Sequence, residues 1–493
     1  MSLSQKLQRL VVVPVQREQR LVQQRQQRLR EQQQHVQQPP GASAPELFYK
    51  AMDLNTLYTD YIDCASNKKR SADTVMFEMH RERNLAWLLE DVNDRTLAAL
   101  LYGFVTPRPR PREVIACLMA GKVVQFHFDK MVRPEVEKRL TDRTFNNRVG
   151  FGPDVAIERL MQDIREVSCN FTRDCWLITR DIQGYFPSSD LDRSYEHYRA
   201  LIEECWPEGE ERDDLLYFLM RVTYSYPAKN VVLISPRWKW EPIIEAGKSV
   251  IFNCEDGRGA CLGNQFWQVE KNYDLNDFDH WQVDVCGMHY GRFVDDMWWV
   301  VDNLEAGLAH VDLSEKKLYE EYGYRMHPRK RYQQHVALGG EFISTWFKGN
   351  RIYIGNRVVR HCEERIREWN RLASPWMLDH FLASINSYFG MMKHRNAFRI
   401  ICRLAEGVSP AWLNYCEFNP DRRCFVALDG YKHNELLCRR FHFKLHKLSK
   451  HHGTRTNQRP GVPAAGAPGK DGIDGCPRRK VHQTRKEVQH PVS

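Results

Sequence analysis

The twelve residues Tyr290-Gly-Arg-Phe-Val-Asp295-Asp296-Met-Trp-Trp-Val-Val301 constrain this chain more than any other stretch, because two apolar halves flank an adjacent pair of acids. Aromatic and β-branched residues in runs of this length predict strands, and acids between them predict a turn. The expectation is a β-hairpin with two carboxylates at its tip. Asp is common in turns, so the pair alone carries no function. A second run, Cys175-Trp-Leu-Ile-Thr, also predicts a strand and leads into Arg180 and Asp181. Strand alternation sends Arg180 to the face opposite Asp181. If that strand lies beside the hairpin, three carboxylates converge. Such convergence is costly unless cations are bound. Two Mg²⁺ ions about 3.5–4 Å apart would neutralise the acids and clamp an attacking hydroxyl and a leaving pyrophosphate.

Composition narrows the setting. With 493 residues, 42% of them hydrophobic, the chain can bury a large core, and its length argues for two or three lobes. No run of about 18 apolar residues occurs, so no membrane span and no membrane partner is expected. The start, broken by Pro14, is a poor signal peptide. Fourteen cysteines with no Cys-x-x-Cys pair fit free thiols in a reducing compartment, taken here as the cytoplasm. They argue against zinc ribbons and disulfide scaffolds. The formal net charge of +9 invites a nucleic-acid reading. By segment, however, residues 1–45 carry +5, residues 439–493 carry +10 and residues 46–438 carry −6. The excess sits at the two ends, and any nucleic-acid path across the body needs local patches. One such patch is 105–148, with ten basic and five acidic residues, where Pro107-Arg108-Pro-Arg110-Pro-Arg112 breaks any helix.

Both ends read as flexible, basic tails. Residues 1–45 are rich in Gln and Arg, and 439–493 contain four Gly-x-y triplets between Gly466 and Pro477, too few for a triple helix. His442 and His446 are spaced like helical metal ligands but lie among lysines, and read as part of a solvated basic segment. Between the tails, Glu46–Ala65 and Ser71–Leu89 predict helices. The run from Gly259 to Gln268 starts with glycine and passes into a helical pattern to about Trp281. Val358–Leu372 and Leu378–Leu404 are amphipathic.

Taken in order, these segments resemble the reverse transcriptase family, in particular its bacterial branch of retron-type, diversity-generating and phage-defence enzymes. Asp181-Ile-Gln-Gly-Tyr-Phe186 resembles motif A, Gly259-Ala-Cys-Leu-Gly-Asn-Gln-Phe-Trp-Gln268 motif B, and Phe293-Val-Asp295-Asp296 motif C. Pro107-Arg108 and Arg112-Glu113-Val114 are similar to the fingers motif, and Asn147-Arg148-Val-Gly150-Phe-Gly152 to its Arg-x-Gly-x-Gly. His327-Pro-Arg-Lys330 resembles motif D, and Asn386-Ser-Tyr388-Phe-Gly390 the thumb.

The resemblance spans roughly residues 50–400 and implies an α+β right-hand polymerase. Fingers and an antiparallel-sheet palm would occupy 46–357 and an α-helical thumb 358–438, between the basic extension 1–45 and the tail 439–493. It implies an RNA-directed DNA polymerase with two Mg²⁺ ions, Mn²⁺ being a substitute. Asp181, Asp295, Asp296 and the Ile182 carbonyl would hold them. Arg108 and Arg112 would grip the incoming triphosphate, with Arg148, Leu262 and Gln268 also at the nucleotide site. Phe186 would be the steric gate that excludes a 2′-hydroxyl. Lys330 is the candidate acid for the departing pyrophosphate, or else a surface lysine.

Two departures stand out. Cys261 replaces the proline of motif B, and Trp267 its serine; Trp267 either packs beside Phe266 in the core or reshapes the template channel for one dedicated RNA. The primer grip reads Phe342-Ile-Ser344 where the family has Phe-Leu-Gly. Expected partners are template RNA, cDNA product and dNTPs, with an accessory protein or oligomer left open. Antiphage defence is preferred as the role over mutagenic retrohoming in a diversity-generating element. A reading from another class is a non-catalytic RNA-binding scaffold, against which the three intact acids argue.

Overall fold

Three helices lead into a hairpin. The computed structural model describes residues 53–66, 71–97, 101–107, 110–225 and 230–432, and in it α1 spans Leu54–Ala65, α2 Ala72–Glu78 and α3 Arg81–Asn93. α1 starts where the Asp53 side chain accepts from the Thr56 amide, a side-chain N-cap. The single helix expected over Ser71–Leu89 is broken at Met79-His80. β1 (Leu101–Thr106) and β2 (Arg112–Cys117) pair antiparallel, with Thr106 opposite Arg112, so the proline-arginine run caps a hairpin.

The chain continues through α4 (Met119–Arg139), α5 (Pro153–Val167), β3 (Trp176–Asp181), α6 (Leu191–Cys205) and α7 (Glu210–Thr223). β4 (Val231–Leu233) then returns to lie parallel to β1, giving a sheet in the order β2-β1-β4. Next come α8 (Gln265–Tyr273), α9 (Asn276–His280), β5 (His289–Phe293), β6 (Asp296–Val301), α10 (Leu304–Tyr322) and β7 (Tyr332–His335).

β5, β6, β3 and β7 form a four-stranded antiparallel sheet in that order. Its two faces follow the period of two in the sequence. Leu177, Trp298 and Val300 pack with Ala156, Leu160 and Ile164 of α5. Ile178, Met297 and Trp299 face the other way, into a core with Phe278 of α9 and Val311 and Leu318 of α10. Full burial of an aliphatic side chain such as Leu177 or Ile178 is worth roughly 1.5–3 kcal/mol. α10 lies directly on the sheet because Gly307 lets it: a Cβ there would meet Val301 Cγ2 at 2.6 Å.

A separate core unites the β1–β2 hairpin with α1 to α4, α6, α7 and α8, through residues such as Leu57, Val123, Phe128, Leu201, Phe218 and Phe266. Beyond β7, β8 (Gly340–Phe342), β9 (Thr345–Lys348) and β10 (Arg351–Ile354) form a small antiparallel sheet. Helices α11 (Asn356–Trp369), α12 (Leu378–Lys393) and α13 (Phe398–Glu406) follow, then a hairpin of β11 (Cys416–Asn419) and β12 (Cys424–Ala427). α11 falls in the expected run Val358–Leu372, the expected run Leu378–Leu404 is interrupted between Lys393 and Phe398, and the hairpin is not among the expected elements.

The fold is thus α+β. Described residues through Leu428 belong to one compact unit, and Asp429–Lys432 is a short helical turn of a second. The twelve cysteines among the described residues are free thiols. Among the described residues no helix is long and apolar enough to cross a membrane. The tails expected over 1–45 and 439–493, with His442 and His446, lie outside the described residues.

Candidate active site

The site is built at one end of the four-stranded sheet. β3 ends at Asp181 and β6 begins at Asp296, and the two are register partners. Val294 and Asp295 make the turn between β5 and β6, and the Asp295 carbonyl accepts from the Ile182 amide at 3.0 Å. The three predicted acids therefore converge. Arg180 turns to the opposite face, where it donates to the Tyr332 carbonyl and feels Asp312 and Glu315 of α10.

Charge crowding is visible in the acids. Burial, then the Asp181 charge, raises the Asp295 carboxyl to about 6, against Lys330 and Arg112, which lower it. Burial, then Asp295 and Asp181, raises Asp296 to about 7, against Lys330 and Arg357. Lys330 Nζ donates to Asp181 Oδ1 at 2.6 Å. Its loop runs alongside the end of β3 and the residues after it, with the His327 amide on the Asp181 carbonyl at 2.7 Å and the Gln183 amide on the Arg325 carbonyl at 2.8 Å.

Backbone contacts tie the Gly259–Gln268 segment and the β1–β2 hairpin to this centre. The Ala260 amide donates to the Phe186 carbonyl at 2.8 Å, and the Gly259 amide to the Ser189 carbonyl at 2.9 Å. Phe186 is half-buried against the neighbouring core, edge-on to Tyr185. The hairpin docks on the same loop. The Leu262 carbonyl accepts from the Ile115 amide at 2.7 Å, and Asn264 Oδ1 from the Cys117 amide at 3.0 Å. Gly263 is required at this contact. It has φ +124°, and a Cβ would meet the Ile115 carbonyl oxygen at 2.8 Å. The hairpin so held presents Arg112, exposed at the start of β2, to the acids.

Other predicted positions fare differently. Arg108 lies outside the described residues. Arg148 is engaged within the chain: its Nε pairs with Glu137 at 2.7 Å and its Nη1 donates to the Thr141 and Thr144 carbonyls, contacts that brace its own loop. Gln268, half-buried on α8, receives Asn147 Nδ2 on its carbonyl at 3.3 Å. Trp267 is buried, 5.0 Å from Phe266 centroid to centroid, so it packs in the core and does not line an open channel. Cys261 is buried with it.

Sequence reasoning missed Arg357 at the start of α11, whose charge reaches Asp296. It also missed Asn146 and Arg292, whose side chains hold the turn before Asp295. Among the described residues, the group whose ligand atoms lie within 4.8 Å of one another is a different one, Asp163, Glu166 and His289. There Asp163 is already paired with Arg143 at 2.8 Å and accepts from Trp298 Nε1 at 3.1 Å, so a guanidinium fills the cation's place.

No protein-family profile matches the chain, and no curated protein does. Among solved structures it is similar to a telomerase from Candida albicans, in complex with a fragment of telomeric RNA, at a TM-score of 0.35 and 9% identity over 64% of this chain. An apo telomerase from Candida tropicalis, truncated from its C-terminal domain, gives a TM-score of 0.38 and 8% identity over 52%. The chain spans 61% and 55% of those two chains. Likeness of this size identifies neither an activity nor a substrate.

Proposed function

We propose that this chain is a nucleotidyl-transferring polymerase of the reverse transcriptase family that makes DNA on an RNA template. The observation that carries the reading is the convergence of Asp181, Asp295 and Asp296 at one sheet end, with Asp181 and Asp296 in register. In this reading the four-stranded sheet is the palm, the β1–β2 hairpin belongs to the fingers, and α11 to α13 are the thumb.

We read Asp181, Asp295 and Asp296 as the donor set for two Mg²⁺ ions. Three carboxylates, two of them raised by burial and mutual repulsion, are the hard oxygen ligands this ion prefers. Asp181, Asp295, Asp296 and the Ile182 carbonyl would hold the ions, with Mn²⁺ as a substitute. When bound, the ions would offset the carboxylate charge and polarise the reacting phosphate.

The chain's own residues supply the rest. Arg112 offers a guanidinium fork to the triphosphate. Phe186 sits five residues past Asp181, where its ring would lie under the sugar and exclude a 2′-hydroxyl. Leu262 and Gln268 would border the same nucleotide. Lys330, already within hydrogen-bond reach of motif A, would hand a proton to the departing pyrophosphate.

The proposed setting is bacterial antiphage defence. A variable-repeat target gene beside this one would assign the chain to a diversity-generating element. A non-catalytic scaffold would gain nothing from three crowded carboxylates beside a nucleic-acid backbone. Primer extension with the purified chain, an RNA template, a DNA primer, Mg²⁺ and dNTPs tests the reading. Incorporation is expected, with loss in Asp295→Ala; equal incorporation by that variant would overturn the metal-site assignment.

A further inference from the structure

Val294, the residue before Asp295, has φ +60°. That is the left-handed region, where a β-branched side chain is a true outlier and persists only if its surroundings hold it there. Both backbone polar groups of Val294 are held by side chains of residues that are themselves buried. Its N–H donates to Asn146 Oδ1 at 2.9 Å, and its carbonyl accepts from Arg292 Nη1 at 3.2 Å.

Arg292 is locked on every side, whereas Asn146 is held through its backbone carbonyl and its side-chain Nδ2 has no hydrogen-bond partner among the described residues. Arg292 is fully buried, and each of its five N–H groups has an acceptor. Nε and Nη2 engage the Asp279 carboxylate, the latter at 2.6 Å; Nη1 also reaches the Lys271 carbonyl and Nη2 the Asn272 carbonyl. Asp279, equally buried, accepts further from Tyr290 Oη at 2.7 Å and Thr144 Oγ1 at 2.8 Å. The Asn146 carbonyl accepts from Asn272 Nδ2 at 2.6 Å. A buried ion pair with every position filled has one geometry, and a lysine could not reproduce the fork.

We propose that Asn146 and the Arg292–Asp279 pair are positioning residues whose task is to keep Val294 left-handed and so fix the Asp295 carboxylate against Asp181 and Asp296. What Asp295 does there rests on the polymerase reading; the clamp does not. The competing view is that the network only fills the core. The two differ in where the strain lies. Glycine carries no left-handed penalty, so a glycine at 294 should make the Asn146 contact dispensable, whereas core filling would be indifferent to residue 294.

The test is a double-mutant cycle in the full chain: parent, Asn146→Ala, Val294→Gly and the double variant. Two readouts are taken, single-nucleotide incorporation and amide exchange of the 293–296 peptide. With valine at 294, Asn146→Ala should lower kcat about 10–100-fold with little change in the KM for dNTP. Exchange at the turn should quicken by about tenfold, with the rest of β5 and β6 still protected. With glycine at 294, the same substitution should change either readout by no more than about twofold. An equal cost in both backgrounds would overturn the clamp and leave core filling. If the parent incorporates no nucleotide, the polymerase reading falls, and the exchange cycle alone decides the clamp. If Asn146→Ala does not fold, recovery of a folded double variant supports the clamp, and failure to recover it counts against it.

Discussion

Lys330 Nζ donates to Asp181 Oδ1 at 2.6 Å from a side chain that is half exposed, so the loop carrying Lys330 is fastened to the end of β3 by an ion pair as well as by the backbone bonds of His327 and Gln183. As proton donor to pyrophosphate it should be replaceable by nothing that cannot give up a proton. Lys330→Gln is expected to lower the single-turnover rate by about 10²-fold or more while the dNTP KM holds. An unchanged rate would return Lys330 to the surface.

The crowded acids give a pH dependence with a definite sign. Asp295 is pushed up to about 6 and Asp296 up to about 7, above the ordinary aspartate value near 3.9. A carboxyl raised in the fold favours the folded state less as it ionises. The penalty is small below about pH 4, grows through 6 and 7, and is complete above. In EDTA at pH 8, Asp296→Asn should therefore melt higher than the parent, by about 1–3 °C. The advantage should shrink as the pH falls toward about 4. Saturating Mg²⁺ should raise the melting temperature of the parent more than that of the variant. Calorimetry across pH 4–8 checks all three, and a variant that melts lower at pH 8 would show that the repulsion is relieved within the protein.

Phe186 is half-buried, packed against the neighbouring core and edge-on to Tyr185, with its carbonyl fixed by the Ala260 amide. Its backbone position does not depend on the ring. Phe186→Ala should therefore fold, at some loss of stability, and admit ribonucleotides. The measurement is the ratio of kcat/KM for dNTP to that for the matching rNTP, expected to fall by at least about tenfold. Sugar discrimination equal to that of the parent would remove the gate role.

These outcomes show what could be read in the residues alone. Asp181, Asp295 and Asp296 were legible because each ends or interrupts an apolar run, and the alternation that turned Arg180 away also set the faces of the sheet. Trp267 was legible only as two alternatives, since an indole after Phe266 serves a core or a channel equally well until its burial is seen. The local contacts of Arg148 were not legible, because an arginine in a loop looks the same whether it waits for phosphate or caps carbonyls. The β8–β9 turn was hidden: Ile343 and Ser344 both have positive φ, +45° and +57°, with neither Gly nor Asn to announce it. The β11–β12 hairpin was hidden by strands of only four residues each. Asn146 and Val294 stand 148 residues apart, so nothing local could pair them.

Arg112 reaches the acids only as well as its hairpin is docked, and the docking passes through Gly263. An alanine there would be strained at φ +124° and would press on the Ile115 carbonyl oxygen and Val114 Cγ1, each at 2.8 Å. It should push β2 away and break the bond from the Ile115 amide to the Leu262 carbonyl. Arg112→Ala is expected to raise the dNTP KM by about 10–100-fold, the loss of one charge-assisted contact to phosphate. Gly263→Ala should raise it in the same direction, although residue 263 carries no charge. Because both remove one interaction, the double variant should lose much less than the product of the two. If instead the losses multiply, the hairpin and the triphosphate are recognised independently, and Arg112 is aimed by something other than the loop around Gly263.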